Sequence, residues 1–408
     1  MSTSSPAPTS DLPLTTRPAG GTPPLTTSIQ GVLEWCQKVA PGEGLAIDVE
    51  RASSYRYSSR AYLIQVKSSS AGILLLDPLA FQLPQTFRDT LGTHEWILHA
   101  SRQDLPSLAM LDLTPPSLFD TEVAARLVGL ARVNLGAVAE ELLGVRLAKE
   151  HSAANWSTRP LPEAWLDYAA LDVEFLVQLR EQLHERLEAA GKLPWALEEF
   201  AFESTFSTPA PLEEPWRRLH GLGQLRHPKQ LAVARAMWEH RDARAREADV
   251  APFMIVRDRY LVAMAKAASR GRGEFEAAAP RTLKHRDQWW QIARGARDLP
   301  AAHLPARQER SAFPHHKLWA RKFPEAHEAY QKVREALVAR AEELEMPVEN
   351  LMSPGHVRHW VWRHFGDEAG RRSRAMDEAE VRAELEGVGA RHWQAEQVAP
   401  VLVALFSR

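Results

Sequence analysis

An α/β domain with a mixed sheet, followed by two all-helical units, is the fold class that three features of the chain predict. Period-two alternation marks three strands within residues 44–77, joined by turns too short for crossovers and therefore antiparallel. Strand and helix patterns then alternate to about residue 190. Beyond the Pro-rich break Ser207-Thr-Pro-Ala-Pro211 no strand signal recurs.

The elements follow in order. Residues 1–27 are rich in Ser, Thr and Pro, lack the apolar core of a signal peptide, and read as a disordered tail. A helix over 28–39 contains Cys36 on an amphipathic face, where a buried small hydrophobe is the expected role. Strands over 44–50, 60–67 and 72–77 come next, then a helix over 80–91, a strand over 95–100, a helix over 104–111 and a strand over 117–120. Helices over 121–131, 134–143 and 162–190 complete a first domain at 28–206. Pro162 opens the last of these, whose apolar stripe runs Trp165, Tyr168, Ala169, Phe175, Leu176, Leu179 and Leu183. Two helical domains are expected at 212–295 and 301–408.

Composition excludes several function classes. No apolar run is long enough to cross a membrane. One cysteine permits neither an intrachain disulfide nor a thiolate metal cluster, so a cytoplasmic protein is expected; a monomer is the expected state. No P-loop, dinucleotide-binding glycine fingerprint or Ser-His-Asp order is present, which argues against a helicase or a serine hydrolase. The net charge of −2 hides an asymmetry. Residues 28–211 carry 15 basic against 24 acidic side chains, whereas 212–300 carry 18 against 11 and 301–408 carry 16 of each. An acidic unit that binds cations repels phosphate, so the basic neighbour is the expected place to hold nucleic acid, with Arg241, Arg244 and Arg257 as candidate contacts. Any one of them could instead be a solvated or ion-paired arginine.

Five residues carry the chemistry. In Gly44-Leu-Ala-Ile-Asp-Val-Glu50, strand alternation sets Ala46, Asp48 and Glu50 on one face, so two carboxylates stand side by side. Asp172 falls inside the apolar stripe of its helix, one turn after Tyr168, and a carboxylate facing a core requires a partner or a cation. Nothing basic lies one turn away on that stripe, which favours the cation. Asp104 opens a helix in Ser101-Arg-Gln-Asp104, which alone resembles a capping box; Tyr168 alone would be a core aromatic. Their joint occurrence, in this order, points to a two-metal nuclease site. Oxygen ligands without histidine suit Mg²⁺ or Mn²⁺, two ions clamping an attacking water and a leaving oxygen. Trp289, Trp290, Trp319, Trp360 and Trp362 could stack on bases but are expected to pack between helices, and His315-His316 reads as a solvated loop.

Ala46-Ile-Asp-Val-Glu50, Ala61-Tyr-Leu-Ile-Gln65, His99-Ala-Ser-Arg-Gln-Asp104, Leu118-Phe-Asp-Thr121 and Asn155-Trp-Ser-Thr-Arg-Pro-Leu161 leading to Tyr168-Ala-Ala-Leu-Asp172 resemble the ribonuclease D family of tyrosine-type DEDD 3′–5′ exonucleases. The family usually has Thr and Phe where this chain has Val49 and Arg51, and the run Arg51 to Arg60 is unusually polar, departures that bear on substrate preference. The resemblance implies a ribonuclease H-like fold. It also implies that Asp48 bridges both ions, Glu50 and Asp172 complete one site, Asp104 holds the second, and Tyr168 orients the attacking water. The implied substrate is RNA with a free 3′ end, transfer RNA precursors among them. Trp216 to Leu219, Gln230 to Trp238 and Asp258 to Ala265 resemble an HRDC domain, and Met346 to Trp362 suggests a second, diverged HRDC-like module. Two rival readings stand beside this one: a DNA exonuclease using the same acids, and a noncatalytic RNA-binding scaffold, which the loss of any metal acid would have favoured.

Overall fold

The computed structural model describes residues 12–148, 153–207, 213–306, 314–366 and 377–406. Among them eight strands form: β1 (Leu14–Thr15), β2 (Leu25–Thr26), β3 (Leu45–Glu50), β4 (Leu63–Ser68), β5 (Gly72–Leu76), β6 (Trp96–Leu98), β7 (Leu118–Asp120) and β8 (Arg146–Leu147). The main sheet runs β2-β5-β4-β3-β6-β7. Its centre is antiparallel, with Asp48 opposite Gln65 and Glu50 opposite Leu63, while β6 and β7 continue in parallel.

Residues 12–27 correct the expected tail. β2 pairs with β5 and β1 with β8, both in parallel, so this polar segment extends one sheet and starts another. Backbone pairing with distant strands supplies the order that the Ser/Thr/Pro composition does not advertise. Residues 1–11, and most of the Pro-rich break at 208–212, lie outside the described residues.

The period-two pattern of β3 sorts its side chains between two cores. Leu45, Ile47 and Val49 pack with Ile64, Val66, Leu74 and Leu76 against α1 (Ile29–Cys36) and α2 (Gln85–Gly92), where Cys36 is buried. After α3 (Leu105–Ala109), α4 (Thr121–Leu127) and α5 (Leu135–Leu143), the opposite face is covered by α6 (Glu163–Glu174) and α7 (Leu176–Ala189). The single helix expected over 162–190 is broken at Phe175. Lys67 reaches from β4 to the Glu174 carbonyl and, at 2.9 Å, to its carboxylate, so the end of α6 is satisfied from the sheet. A further helix, α8 (Leu193–Ser204), closes the domain.

The remaining helices form two units of different kinds. The first comprises α9 (Pro228–Ala248), α10 (Pro252–Ile255), α11 (Asp258–Ala267), α12 (Arg272–Ala278) and α13 (Arg286–Arg297). It has its own core, in which Trp216, Met237, Leu261, Phe275, Trp289 and Trp290 are buried. The second comprises α14 (Trp319–Lys322), α15 (Pro324–Glu343), α16 (Val348–Leu351), α17 (Pro354–Phe365), α18 (Glu378–Gly387) and α19 (His392–Phe406). Its buried Trp319, Val333, Trp360 and Trp393 belong to the same continuous core as Val138, Leu179 and Phe200 of the α/β domain. The tryptophans therefore pack, as expected. His315 and His316 stack on each other at 4.7 Å in and beside a short turn. No helix among the described residues is long and apolar enough to cross a membrane.

Candidate active site

The C-terminal end of β3 and the middle of α6, which packs on that face of the sheet, face each other. β3 presents Asp48 and Glu50 on its α6 side, and α6 presents Tyr168 and Asp172 one turn apart. Asp48, Glu50 and Asp172 each offer a carboxylate oxygen within 4.8 Å of the others. The Tyr168 hydroxyl donates to Asp172. Trp156, fully buried, backs Tyr168 at 6.5 Å between ring centroids.

Asp104 arrives on a separate loop and is almost completely buried. The capping reading does not hold, because Asp104 makes no side-chain cap bond to α3 and the buried Ser101 hydroxyl has no partner. Instead the loop is pinned from β7. Asp120 accepts from the backbone N–H of Ala100 at 3.2 Å and of Ser101 at 2.7 Å while capping α4. Thr121 donates to the Leu98 carbonyl and meets His99. Asp120 and Thr121 thus position Asp104, a role that their place in Leu118-Phe-Asp-Thr121 signalled only as part of a motif. Asp104 stands outside the three-carboxylate group, with Arg51 Nη2 at 3.5 Å from its Oδ1.

The electrostatics are those of buried carboxylates crowded around a single arginine. Burial, the largest cause, pushes the Asp48 carboxyl up to about 6, opposed by Arg51. Burial and the neighbouring carboxylates push Glu50 and Asp104 well above the usual carboxylate range, and burial and Asp48 do the same for Asp172. Burial and the same acids raise Tyr168. Gln65, opposite Asp48 across the sheet, is fully buried and neither polar atom of its amide has a partner, a second polar group left open on this face that sequence reading placed only in a motif. Clustered buried carboxylates with an all-oxygen donor set fit hard divalent cations such as Mg²⁺ or Mn²⁺. Among the described residues no other group of three or more such ligands converges.

The basic candidates divide. Arg241 is buried, bonded through Nη1 to the Val256 carbonyl at 2.9 Å and to Asp258 at 2.6 Å, so it braces its own module and cannot reach a phosphate. Arg244 is half-buried beside His240, and Arg257 is exposed at the start of α11. The polar run after Glu50 has a use that the sequence did not show. Tyr57 donates to Asp242 at 3.0 Å, the Ser58 N–H to Asp249 at 3.1 Å, and the Ala251 N–H to the Tyr55 carbonyl at 3.0 Å, which docks the first helical unit beside the site.

Comparison with known proteins agrees with this geometry. Residues 25–188 match a family model described as a 3′–5′ exonuclease, residues 230–284 one described as an HRDC domain, and residues 312–406 one described as a 3′ to 5′ exonuclease C-terminal domain. Ribonuclease D of Escherichia coli (strain K12) is 31% identical over 261 residues, 62% of this chain and 68% of that protein. Ribonuclease D of Acidiphilium cryptum is 31% identical over 61% of this chain and 65% of its own length, so the chain spans about two thirds of these relatives. A crystal structure of a protein from Bifidobacterium adolescentis superposes with a TM-score of 0.85, at 34% identity, over 98% of this chain and all of that one. The Escherichia coli RNase D structure, described as an exoribonuclease involved in structured RNA processing, shares the fold with a TM-score of 0.71 at 23% identity over 94% of this chain and 98% of its own. Fold, acidic centre and relatives agree, and the chain belongs to the ribonuclease D family of 3′–5′ exoribonucleases.

Proposed function

We propose that this protein releases nucleoside 5′-monophosphates from the free 3′ ends of structured RNA in the cytoplasm, transfer RNA precursors being the expected substrates. The observation that carries the reading is the convergence of Asp48, Glu50 and Asp172 within 4.8 Å, with the Tyr168 hydroxyl on Asp172. Asp48 is central in this assignment, shared between two cation positions; Glu50 and Asp172 would complete one and Asp104 the other. When bound, Mg²⁺ or Mn²⁺ would supply positive charge to the attacking water and to the leaving 3′ oxygen.

The protein's own groups do the rest. Burial and the neighbouring acids raise Tyr168, which favours a hydrogen-bonding group that orients the attacking water. Its ring packs beside Trp156 and its hydroxyl is bonded to Asp172. Beyond the site, Arg257 and Lys266 are exposed and unpaired among the described residues. Lys266 lines a groove of about 650 Å³ with His220 and Arg259, where Arg270 pairs with Glu274, and its exposed cations suit an RNA backbone.

Degradation of 5′-labelled RNA and DNA of equal sequence, with and without Mn²⁺, tests the proposal. The expected result is a Mn²⁺-dependent ladder of 5′-labelled products shortened from the 3′ end, with RNA preferred. Equal rates on DNA would contradict the RNA assignment, and an inert protein that still binds RNA would leave a scaffold.

A further inference from the structure

Arg51 directly follows Glu50, where β3 leaves the sheet, and turns back on the acidic centre. Its Nη2 lies 3.5 Å from Asp104 Oδ1, and its Nη1 donates to the Gln103 carbonyl beside it. Among the described residues this is the ion pair made by the four acids, since Asp48, Glu50 and Asp172 have none. The arrangement is lopsided. Three carboxylates are already gathered at ligand spacing, while the fourth is held by a guanidinium. A carboxylate as buried as Asp104, facing other carboxylates, is costly unless a cation accompanies it. The arginine supplies that charge directly to Asp104, and its side chain, 26% exposed, reaches solvent.

We propose that Arg51 is the resident counter-ion of the second cation position, pairing with Asp104 in the free enzyme and giving it up when a divalent ion binds there. The inference rests on the two-cation reading of the site. The first ion meets a set of ligands that is already assembled; the second must break an ion pair before it gains a carboxylate. Loading is therefore stepwise, and Arg51 is a positioning residue that sets the concentration at which the second step occurs.

Calorimetric titration of the full chain with Mn²⁺ alone, for wild type, Arg51→Gln and Arg51→Lys, tests this. Wild type is expected to bind two ions with affinities at least about tenfold apart, roughly 1.4 kcal/mol. Arg51→Gln should tighten the weaker event about tenfold or more and the tighter one clearly less, while Arg51→Lys, which keeps the charge, should restore much of the separation. Two events of equal affinity in wild type overturn the proposal without any variant. So does an Arg51→Gln protein whose weaker event is unchanged or weaker still, and so does one with wild-type Mn²⁺ binding but reduced affinity for single-stranded RNA, which would assign Arg51 to a substrate phosphate. These failures leave the exonuclease reading standing if wild type still shortens RNA from its 3′ end. Absence of any Mn²⁺ binding removes both.

Discussion

Around β3 and α6 four buried or half-buried acids face one another with one arginine among them, whereas along 213–298 several arginines are matched to carboxylates of their own module: Arg241 to Asp258, Arg246 to Asp242, Arg272 to Glu276, Arg297 to Asp298. The first region lies in the most acidic part of the chain and the second is the most basic, so a tally of charge marks both as functional. Pairing separates them. A matched ion pair adds little and has little left to offer a ligand, while an unmatched buried charge is costly and persists where a ligand repays it.

The largest effect that would sharpen this contrast is in the acidic region. Asp48→Asn or Asp172→Asn should abolish hydrolysis, by roughly a thousandfold or more, because each removes part of the cation site that stabilises transition-state charge by several kcal/mol. Steady-state rates on 5′-labelled RNA measure it, and a variant within tenfold of wild type would break the assignment. Tyr168→Phe should follow, losing about a hundredfold in turnover with RNA affinity nearly unchanged, since the hydroxyl is removed while the ring keeps its seat on Trp156. A loss confined to RNA binding would mark Tyr168 as a packing residue.

In the basic region the expected effects are on stability and salt dependence. Arg241→Ala should destabilise the fold by about 1–3 kcal/mol in denaturant titration, removing the guanidinium that bonds the Val256 carbonyl and Asp258, yet should not alter the salt slope of RNA binding. Replacing Arg257 and Lys266 together by Gln should do the reverse, lowering the slope of log affinity against log salt by up to about two on a catalytically inactive background. An Arg241 variant with a reduced slope, or a double variant with an unchanged one, would undo the distinction between matched and unmatched charge.

What the sequence made legible follows the same division. Asp48 with Glu50, and Asp172 after Tyr168, were readable because periods of two and 3.6 put each pair on one face. Asp104 was ambiguous, since Ser101-Arg-Gln-Asp104 carries a capping pattern that only the tertiary pinning by Asp120 overrules. The order of residues 12–27, the break at Phe175 and the burial of Arg241 depend on partners far along the chain, β5 and β8, Lys67, and Asp258 respectively, which local periodicity does not report. The core shared between 319–402 and the α/β domain is of the same kind: each helix showed its apolar face, but not what covers it.

The central claim is that the acidic centre holds its charge for divalent cations, and thermal unfolding with pH as the variable tests it most directly. In metal-free protein the acids have folded-state pKa values above their unfolded ones, Asp48 at about 6 and the others raised by burial and mutual repulsion. Protonation therefore stabilises the fold fully below about pH 4, and that stability is lost as pH rises through about 6 and beyond. Wild type without metal should show a midpoint that falls between about pH 5 and 8 relative to Asp48→Asn, and saturating Mn²⁺ at about pH 8 should raise it by several degrees while barely moving the variant. Parallel pH profiles and equal responses to Mn²⁺ in the two proteins would contradict the account.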